Sequence, residues 1–158
     1  MPGAIPAQFR QDPANYASSC TRLVLPSARE EEALQKYLFI ALGGALGSIA
    51  RYGVGSWVAN RLGIRFPYGT VVVNISACLI IGFTMSFLGR HTDLGPAWRF
   101  LVPVGFIGAY STFSTYEWET LVELREGAFG IAALYAIGSF AAGLGATWGG
   151  SVLGDLFG

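Results

Sequence analysis

Two long stretches without a charged side chain, residues 66–89 and 127–154, limit what this chain can fold into. Each exceeds the roughly 20 residues that an α-helix needs to cross a bilayer. Residues 37–58 are a third apolar stretch, interrupted only by Arg51, and residues 100–116 are a fourth, shorter one. With 53% hydrophobic and 13% charged residues, the composition is typical of an integral membrane protein. We therefore predict an all-α membrane protein with four transmembrane helices.

The predicted organisation has two parts. Residues 1–36 contain four prolines and no long apolar run, which predicts a polar, partly disordered extension ending in a short helix. Ser27 and Glu30 have the spacing of a capping box, so this helix should begin at Ala28 and continue into the first span. The extension is either dispensable, a wrongly assigned start, or a regulatory element at the lipid surface. Residues 37–154 form the membrane domain, with spans at about residues 37–58, 69–88, 100–121 and 128–150.

Basic residues near the predicted helix ends indicate little preference for one orientation. One side carries four of them and the other three: Arg29, Lys36, Arg90 and Arg99 against Arg61, Arg65 and Arg125. Because lysines and arginines in loops set the orientation, a difference of one sets it weakly. Such a chain can insert both ways up, and two copies can then pair antiparallel. Four short spans are too few to enclose a pore, so we expect an oligomer.

The third apolar stretch contains the most unusual segment, residues 105–116, which is rich in glycine, hydroxyl and aromatic side chains. A bilayer tolerates backbone of this kind only inside protein or along a cavity. We therefore predict a broken third helix at the working site of a channel or carrier. Free carbonyls at such a break can hold a cation, and the free N–H end favours an anion. Phe113 and Tyr116 are neighbours on a helix face, and their ring edges carry partial positive charge that suits a small anion.

The other spans contain a few polar side chains, each with two possible uses. Asn74 is the only carboxamide in any predicted span, and Thr70 lies one turn away on the same face. Asn74 either bonds another helix or offers a donor to a dehydrated anion. Tyr135 and Ser139 present hydroxyls on one face, again either as interhelical contacts or as part of a polar path. Arg51 either snorkels to the interface or lends positive potential to an anion vestibule.

Several function classes are disfavoured by what the sequence lacks. No carboxylate lies in predicted spans one, two or four, which argues against a proton-coupled multidrug-type antiporter. The sequence has no phosphate loop, no metal-ligand spacing and no nucleophile–base pair, so we expect neither an enzyme nor a nucleic-acid partner. Four glutamates follow the third span and are expected at a solvated helix end: Glu117, Glu119, Glu123 and Glu126. An anion transporter, a small antiporter and a structural membrane subunit remain as hypotheses.

Four motifs, in this order and spacing, resemble the Fluc (CrcB) family of fluoride-specific ion channels. They are Gly-Gly-x-x-Gly-x-x-x-Arg-Tyr, Gly-Thr-x-x-Val-Asn, Gly-x-x-Gly-x-x-Ser-Thr-Phe-Ser-Thr and Leu-Tyr-x-x-x-Ser, one in each predicted span. The resemblance covers about residues 37–150. It implies an antiparallel, dual-topology dimer in the plasma membrane, with two fluoride pores between the subunits and a structural sodium ion at the dimer centre. It also implies passive export of fluoride from the cytoplasm.

The resemblance also implies roles for individual residues. Sodium would be held by the backbone carbonyls of Gly108 and Ser111, the latter in place of the family's usual threonine. The implied anion pathway consists of nine side chains: Asn74, Phe113, Tyr116, Ser114, Thr115, Thr70, Tyr135, Ser139 and Arg51. Tyr116 is a departure, since the family has a second phenylalanine there. The chain can therefore be either a homodimeric channel or one partner of a heterodimer with a paired family member.

Overall fold

The computed structural model describes residues 28–91 and 93–158, and every regular element within them is helical. Six α-helices and one π-helical segment follow in chain order: α1 (Ala28–Leu62), α2 (Tyr68–Arg90), α3 (Pro96–Arg99), the π-helix (Phe100–Ile107), α4 (Gly108–Tyr110), α5 (Phe113–Arg125) and α6 (Phe129–Phe157). Leu34–Gly158 form one compact unit. The part of the predicted extension that precedes Ala28, including the predicted cap at Ser27, lies outside the described residues.

Within the described residues, three helices are long and apolar enough to cross a membrane: Arg29–Leu62, Tyr68–Arg90 and Phe129–Phe157. They correspond to predicted spans one, two and four, and each is longer than predicted. The predicted third span is divided between α3, the π-helix, α4 and α5, and none of these reaches the length needed to cross alone. The all-α class is thus found, while the count of four spans stays a prediction.

Glycines allow close packing between α2 and α6. A Cβ atom at Gly82 would overlap the carbonyl oxygen of Thr147, and one at Gly150 would overlap that of Leu79. Backbones approach this closely in membrane proteins where small residues line the helix interface. The ends of the same two helices are joined by an ion pair between Arg90 and Asp155, with 3.1 Å from Nε to Oδ1.

Glycines also bring α1 against the π-helix. A Cβ at Gly43 would overlap the carbonyl oxygen of Leu101, and one at Gly47 would overlap that of Phe106. Gly43 and Gly47, four residues apart on one face of α1, therefore serve close helix packing. Gly105 meets α1 from the other side, since a Cβ there would lie 2.8 Å from the carbonyl oxygen of Ile40.

A small core fixes α4 against α2. Val73 and Ala77 of α2 pack with Ile107 and Tyr110, and all four are nearly inaccessible to solvent. The Tyr110 hydroxyl lies 2.8 Å from the Ser76 hydroxyl, within hydrogen-bonding distance. Because α4 ends at Tyr110, this core holds the last residue before the chain leaves the helix.

Candidate functional site

The helical segments between Pro96 and Arg125 are interrupted at two residues. Ser111 has φ −73° and ψ 156°, and Thr112 has φ −145° and ψ 103°, so both are extended. The Thr112 hydroxyl accepts a hydrogen bond from the Thr115 N–H at 3.3 Å and so caps α5. The interruption lies within the segment that the sequence identified as unusually polar.

Asn74 binds both backbone groups of Thr112 through its side chain. Its Nδ2 donates to the Thr112 carbonyl at 3.1 Å, and its Oδ1 accepts from the Thr112 N–H at 2.8 Å. This is the interhelical hydrogen bond that the sequence allowed as one use of the carboxamide. An amide nitrogen carries two protons, so the second N–H of Asn74 stays available to another acceptor.

The interruption removes the usual donors from two backbone carbonyls. In a continuous helix the Thr112 N–H would donate to Gly108, but here it donates to Asn74. The Thr115 N–H would likewise donate to Ser111, but it donates to the Thr112 hydroxyl. Gly108 and Ser111 are the two residues that the sequence resemblance assigned to sodium. Carbonyl oxygens without their helical donors are suitable ligands for a hard cation, so these residues fit such an ion.

The described residues offer no alternative metal site built from side chains. No group of three or more histidine, cysteine, aspartate or glutamate side chains within residues 28–91 and 93–158 could hold a metal ion.

Several predicted anion-path residues line one cleft of about 240 Å³, which we call the Asn74 cleft. Its walls are Asn74, Cys78, Ser111, Phe113, Tyr116, Ser139 and Phe140. The structure thus brings four of the nine predicted side chains together. The sequence interpretation missed Cys78 and Phe140 as cleft residues, although Cys78 lies one helical turn from Asn74 and Phe140 follows Ser139.

Three other predicted residues line a second cleft of about 350 Å³, which we call the Arg51 cleft. Its walls are Ser48, Arg51, Tyr52, Gly55, Ser56, Thr70, Val73, Thr112 and Thr115. No ion pair joins Arg51 to another described residue, and its side chain is half-buried. A cationic group in a cleft raises the local concentration of anions. The position of Arg51 is therefore compatible with an anion vestibule.

The hydrogen-bonded pair of Asn74 and Thr112 links the two clefts. Asn74 lines one cleft and Thr112, to which it is bonded, lines the other. Ser114, another predicted anion-path residue, is exposed and lines neither cleft. Phe113 lines the Asn74 cleft but is 73% exposed.

Glu119 was missed as a site residue, and its expected place at a solvated helix end is wrong. Its carboxylate accepts a hydrogen bond from the Thr70 hydroxyl at 2.9 Å and another from the Tyr135 hydroxyl at 2.6 Å. Glu119 lies one turn beyond Tyr116 on α5, and its half-buried carboxylate contacts both α2 and α6. The three-residue spacing from Tyr116 could have indicated this position, because residues three apart lie on the same face of a helix.

Aromatic rings extend from the interruption towards the first loop. The rings of Phe113 and Tyr116 lie 5.7 Å apart, which confirms that they are neighbours, and Tyr116 lies 5.2 Å from Tyr135. Phe66 meets Tyr135 edge to face at 5.6 Å. Tyr135 is only 1% exposed, so the row is buried at this ring and open to solvent at Phe113.

The hydrogen bonds divide the predicted hydroxyls into engaged and available donors. Thr70 and Tyr135 donate to Glu119, and Tyr116 donates to the carbonyl of Ala136 at 2.9 Å. The Ser139 hydroxyl, which lines the Asn74 cleft, has no hydrogen-bond acceptor among the described residues. Ser139 and the second N–H of Asn74 are therefore donors that remain available to an anion in this cleft.

Comparison with known proteins relates this chain to one family. The model of the family described as "CrcB-like protein, Camphor Resistance (CrcB)" matches residues 38–151. A protein of Acidobacterium capsulatum named fluoride-specific ion channel FluC is 54% identical over 120 residues, covering 76% of this chain and 96% of that protein. Proteins of the same name from Solibacter usitatus and Thermus thermophilus are 48% and 42% identical, covering 75% and 77% of this chain and 97% and 100% of theirs.

Proposed function

Because this chain belongs to the CrcB family, whose curated members are named fluoride-specific ion channels, we propose that it is a fluoride-selective channel. It is a multi-pass protein of the plasma membrane and not an enzyme. Passive export through the pore lowers cytoplasmic fluoride. The observation that carries the proposal is the interrupted helix at Ser111 and Thr112, held by Asn74 between two clefts.

Fluoride holds its water tightly, so a selective pore has to replace that shell with other donors. In the Asn74 cleft the replacements are the second N–H of Asn74, the Ser139 hydroxyl and the ring edges of Phe113 and Tyr116. Ring edges attract an anion without the full positive charge that would trap it. Weak, successive sites of this kind allow an ion both to enter and to leave.

Arg51 and Thr115 would serve fluoride on the side of the Arg51 cleft. A half-buried guanidinium raises the anion concentration where the ion enters. The Thr115 hydroxyl accepts from the Thr112 hydroxyl at 2.8 Å, so its own proton stays free for an anion. The Thr70 and Tyr135 hydroxyls hold Glu119 and thereby keep its carboxylate fixed at one side of this path.

We propose that the functional assembly is an antiparallel dimer with two pores. Phe113 lines the Asn74 cleft but is 73% exposed in the single chain, so the cleft is open on the side of this ring. A second subunit inserted the opposite way up would close it. The alternative is a heterodimer, in which a paired family member supplies the second subunit.

Sodium is proposed as the structural ion at the dimer centre. The carbonyls of Gly108 and Ser111 have lost their helical donors and would be its ligands. When bound, the cation supplies positive charge that stabilises the carbonyl end of the interruption.

Fluoride efflux from proteoliposomes tests the proposed function. Vesicles that contain the purified protein should release internal fluoride rapidly once the charge is balanced by a potassium ionophore, and protein-free vesicles should not. Proton-coupled uptake of organic cations without fluoride efflux would instead support the antiporter hypothesis. Absence of any flux would support either a structural subunit or a heterodimeric channel whose paired family member is missing.

A further inference from the structure

We propose that Tyr116 acts in the pore as a phenylalanine would, because its hydroxyl is an anchor to α6 and not a ligand for the anion. The inference rests on the proposed function and concerns the residue in which this chain departs from the family pattern. It means that two copies of this chain carry two complete pores, without a partner that supplies the second phenylalanine.

The hydroxyl of Tyr116 has a defined partner within the same chain. It donates its proton to the carbonyl oxygen of Ala136 at 2.9 Å, across the contact between α5 and α6. That carbonyl has two lone pairs, so it can accept this bond and keep its own helical bond. A phenol has a single proton, and while it points at Ala136 it cannot point at an anion.

The remaining lone pairs of the phenol oxygen are unsuited to an anion because they carry partial negative charge. The ring edge is therefore the part of Tyr116 that an ion in the Asn74 cleft can approach favourably. A phenylalanine at this position would offer the same edge. The added oxygen lies at the contact with α6, where it meets a carbonyl rather than the ion.

Packing holds the Tyr116 ring in one orientation. The ring lies 5.7 Å from Phe113 at an interplanar angle of 36°, and 5.2 Å from Tyr135 at 56°. A tyrosine side chain has two rotatable bonds, and three contacts on different sides restrict both of them. The hydroxyl bond adds to this restriction, but the two ring contacts remain when the hydroxyl is removed.

The test compares fluoride efflux through the purified homodimer with four substitutions. Tyr116→Phe should keep efflux within about twofold of the wild type, a small change on the scale of activation free energies. Tyr116→Leu and Tyr116→Ile, which remove the ring, should lower efflux by at least about tenfold. Tyr37→Phe is the matched control, because Tyr37 is 70% exposed and lines neither cleft.

Thermal unfolding of the same proteins separates the anchor from the ring. Tyr116→Phe should lower the unfolding midpoint relative to Tyr37→Phe, since only Tyr116 loses a bond to another helix. If Tyr116→Phe keeps efflux and the leucine and isoleucine variants lose it, fluoride passage depends on the ring of Tyr116 and not on its hydroxyl.

Several outcomes would overturn the inference. If Tyr116→Phe is folded but loses efflux, the hydroxyl is a ligand; if both ring-free variants keep efflux, the ring is not in the path. An inactive wild type that Tyr116→Phe makes active would contradict this inference and leave the proposed function intact. Inactivity of both would contradict this inference together with the homodimeric form of the proposed channel.

Discussion

Asn74 shows how one side chain can hold the interruption and still face the cleft. Its oxygen and one of its N–H groups bind the backbone of Thr112, which leaves the other N–H for an ion. The sequence offered these two uses as alternatives, because a pattern of residue types does not show how many donors of a carboxamide are engaged. The geometry makes them compatible.

Replacing Asn74 by alanine should therefore have two effects. Loss of both bonds leaves the Thr112 N–H and carbonyl without partners, which should cost about 1–3 kcal/mol of stability. Fluoride efflux should also fall, because the donor in the cleft is lost. Thermal unfolding and efflux measure the two effects. Asn60→Ala is the matched control, since Asn60 is exposed; equal behaviour of the two variants would remove Asn74 from both roles.

Glu119 gives a second prediction at the scale of residues. Glu119→Gln replaces one carboxylate oxygen, which accepts a hydrogen bond from a hydroxyl, by an N–H₂ group. Either the Thr70 or the Tyr135 hydroxyl then loses its acceptor. We expect a loss of about 1 kcal/mol in the free energy of unfolding, the usual contribution of one hydrogen bond. The exposed Glu117→Gln is the control, and the account fails here if both substitutions lower stability equally.

The three long helices were largely predictable, because long apolar runs set their existence and approximate ends. The π-helix was not predicted, although Pro103 within it is a physical signal. Proline lacks an N–H and collides with the carbonyl four residues earlier, so a regular α-helix cannot pass through it undisturbed. The exact place of the interruption also depends on Asn74, which is distant in sequence and becomes a neighbour only through packing.

The contact between α2 and α6 can be tested with two adjacent glycines. A Cβ at Gly150 would overlap the Leu79 carbonyl, whereas one at Gly149 meets nothing within 4 Å. Gly150→Ala should therefore destabilise the protein by about 1–3 kcal/mol through overpacking. Gly149→Ala should be neutral or stabilising by up to about 1 kcal/mol, since alanine favours a helix. Similar unfolding midpoints for the two would contradict the close helix contact.

At the scale of the whole molecule, the residues of the site could be named from sequence, but their division between two clefts could not. Phe113 and Tyr116 are neighbours on one helix, so their contact follows from spacing alone. Thr70 and Glu119 lie on different helices, and their bond depends on how α2 packs beside α5. Sequence patterns predict contacts within a helix far better than contacts between helices.

The proposed structural cation gives a prediction for the assembled protein. If Gly108 and Ser111 hold sodium, the ion binds the folded state, and the unfolding midpoint should rise as the sodium concentration rises above the dissociation constant. Replacing sodium by an equal concentration of a large organic cation, at constant ionic strength, should lower the midpoint. An unchanged midpoint across a wide range of sodium concentrations would count against a bound structural ion.

The central claim is that this chain forms a pore selective for fluoride. The most direct test loads one preparation of proteoliposomes with equal concentrations of fluoride and chloride and records the efflux of both ions with selective electrodes. The account predicts rapid release of fluoride while chloride stays inside, at the level of protein-free vesicles. Release of both ions at comparable rates would contradict it.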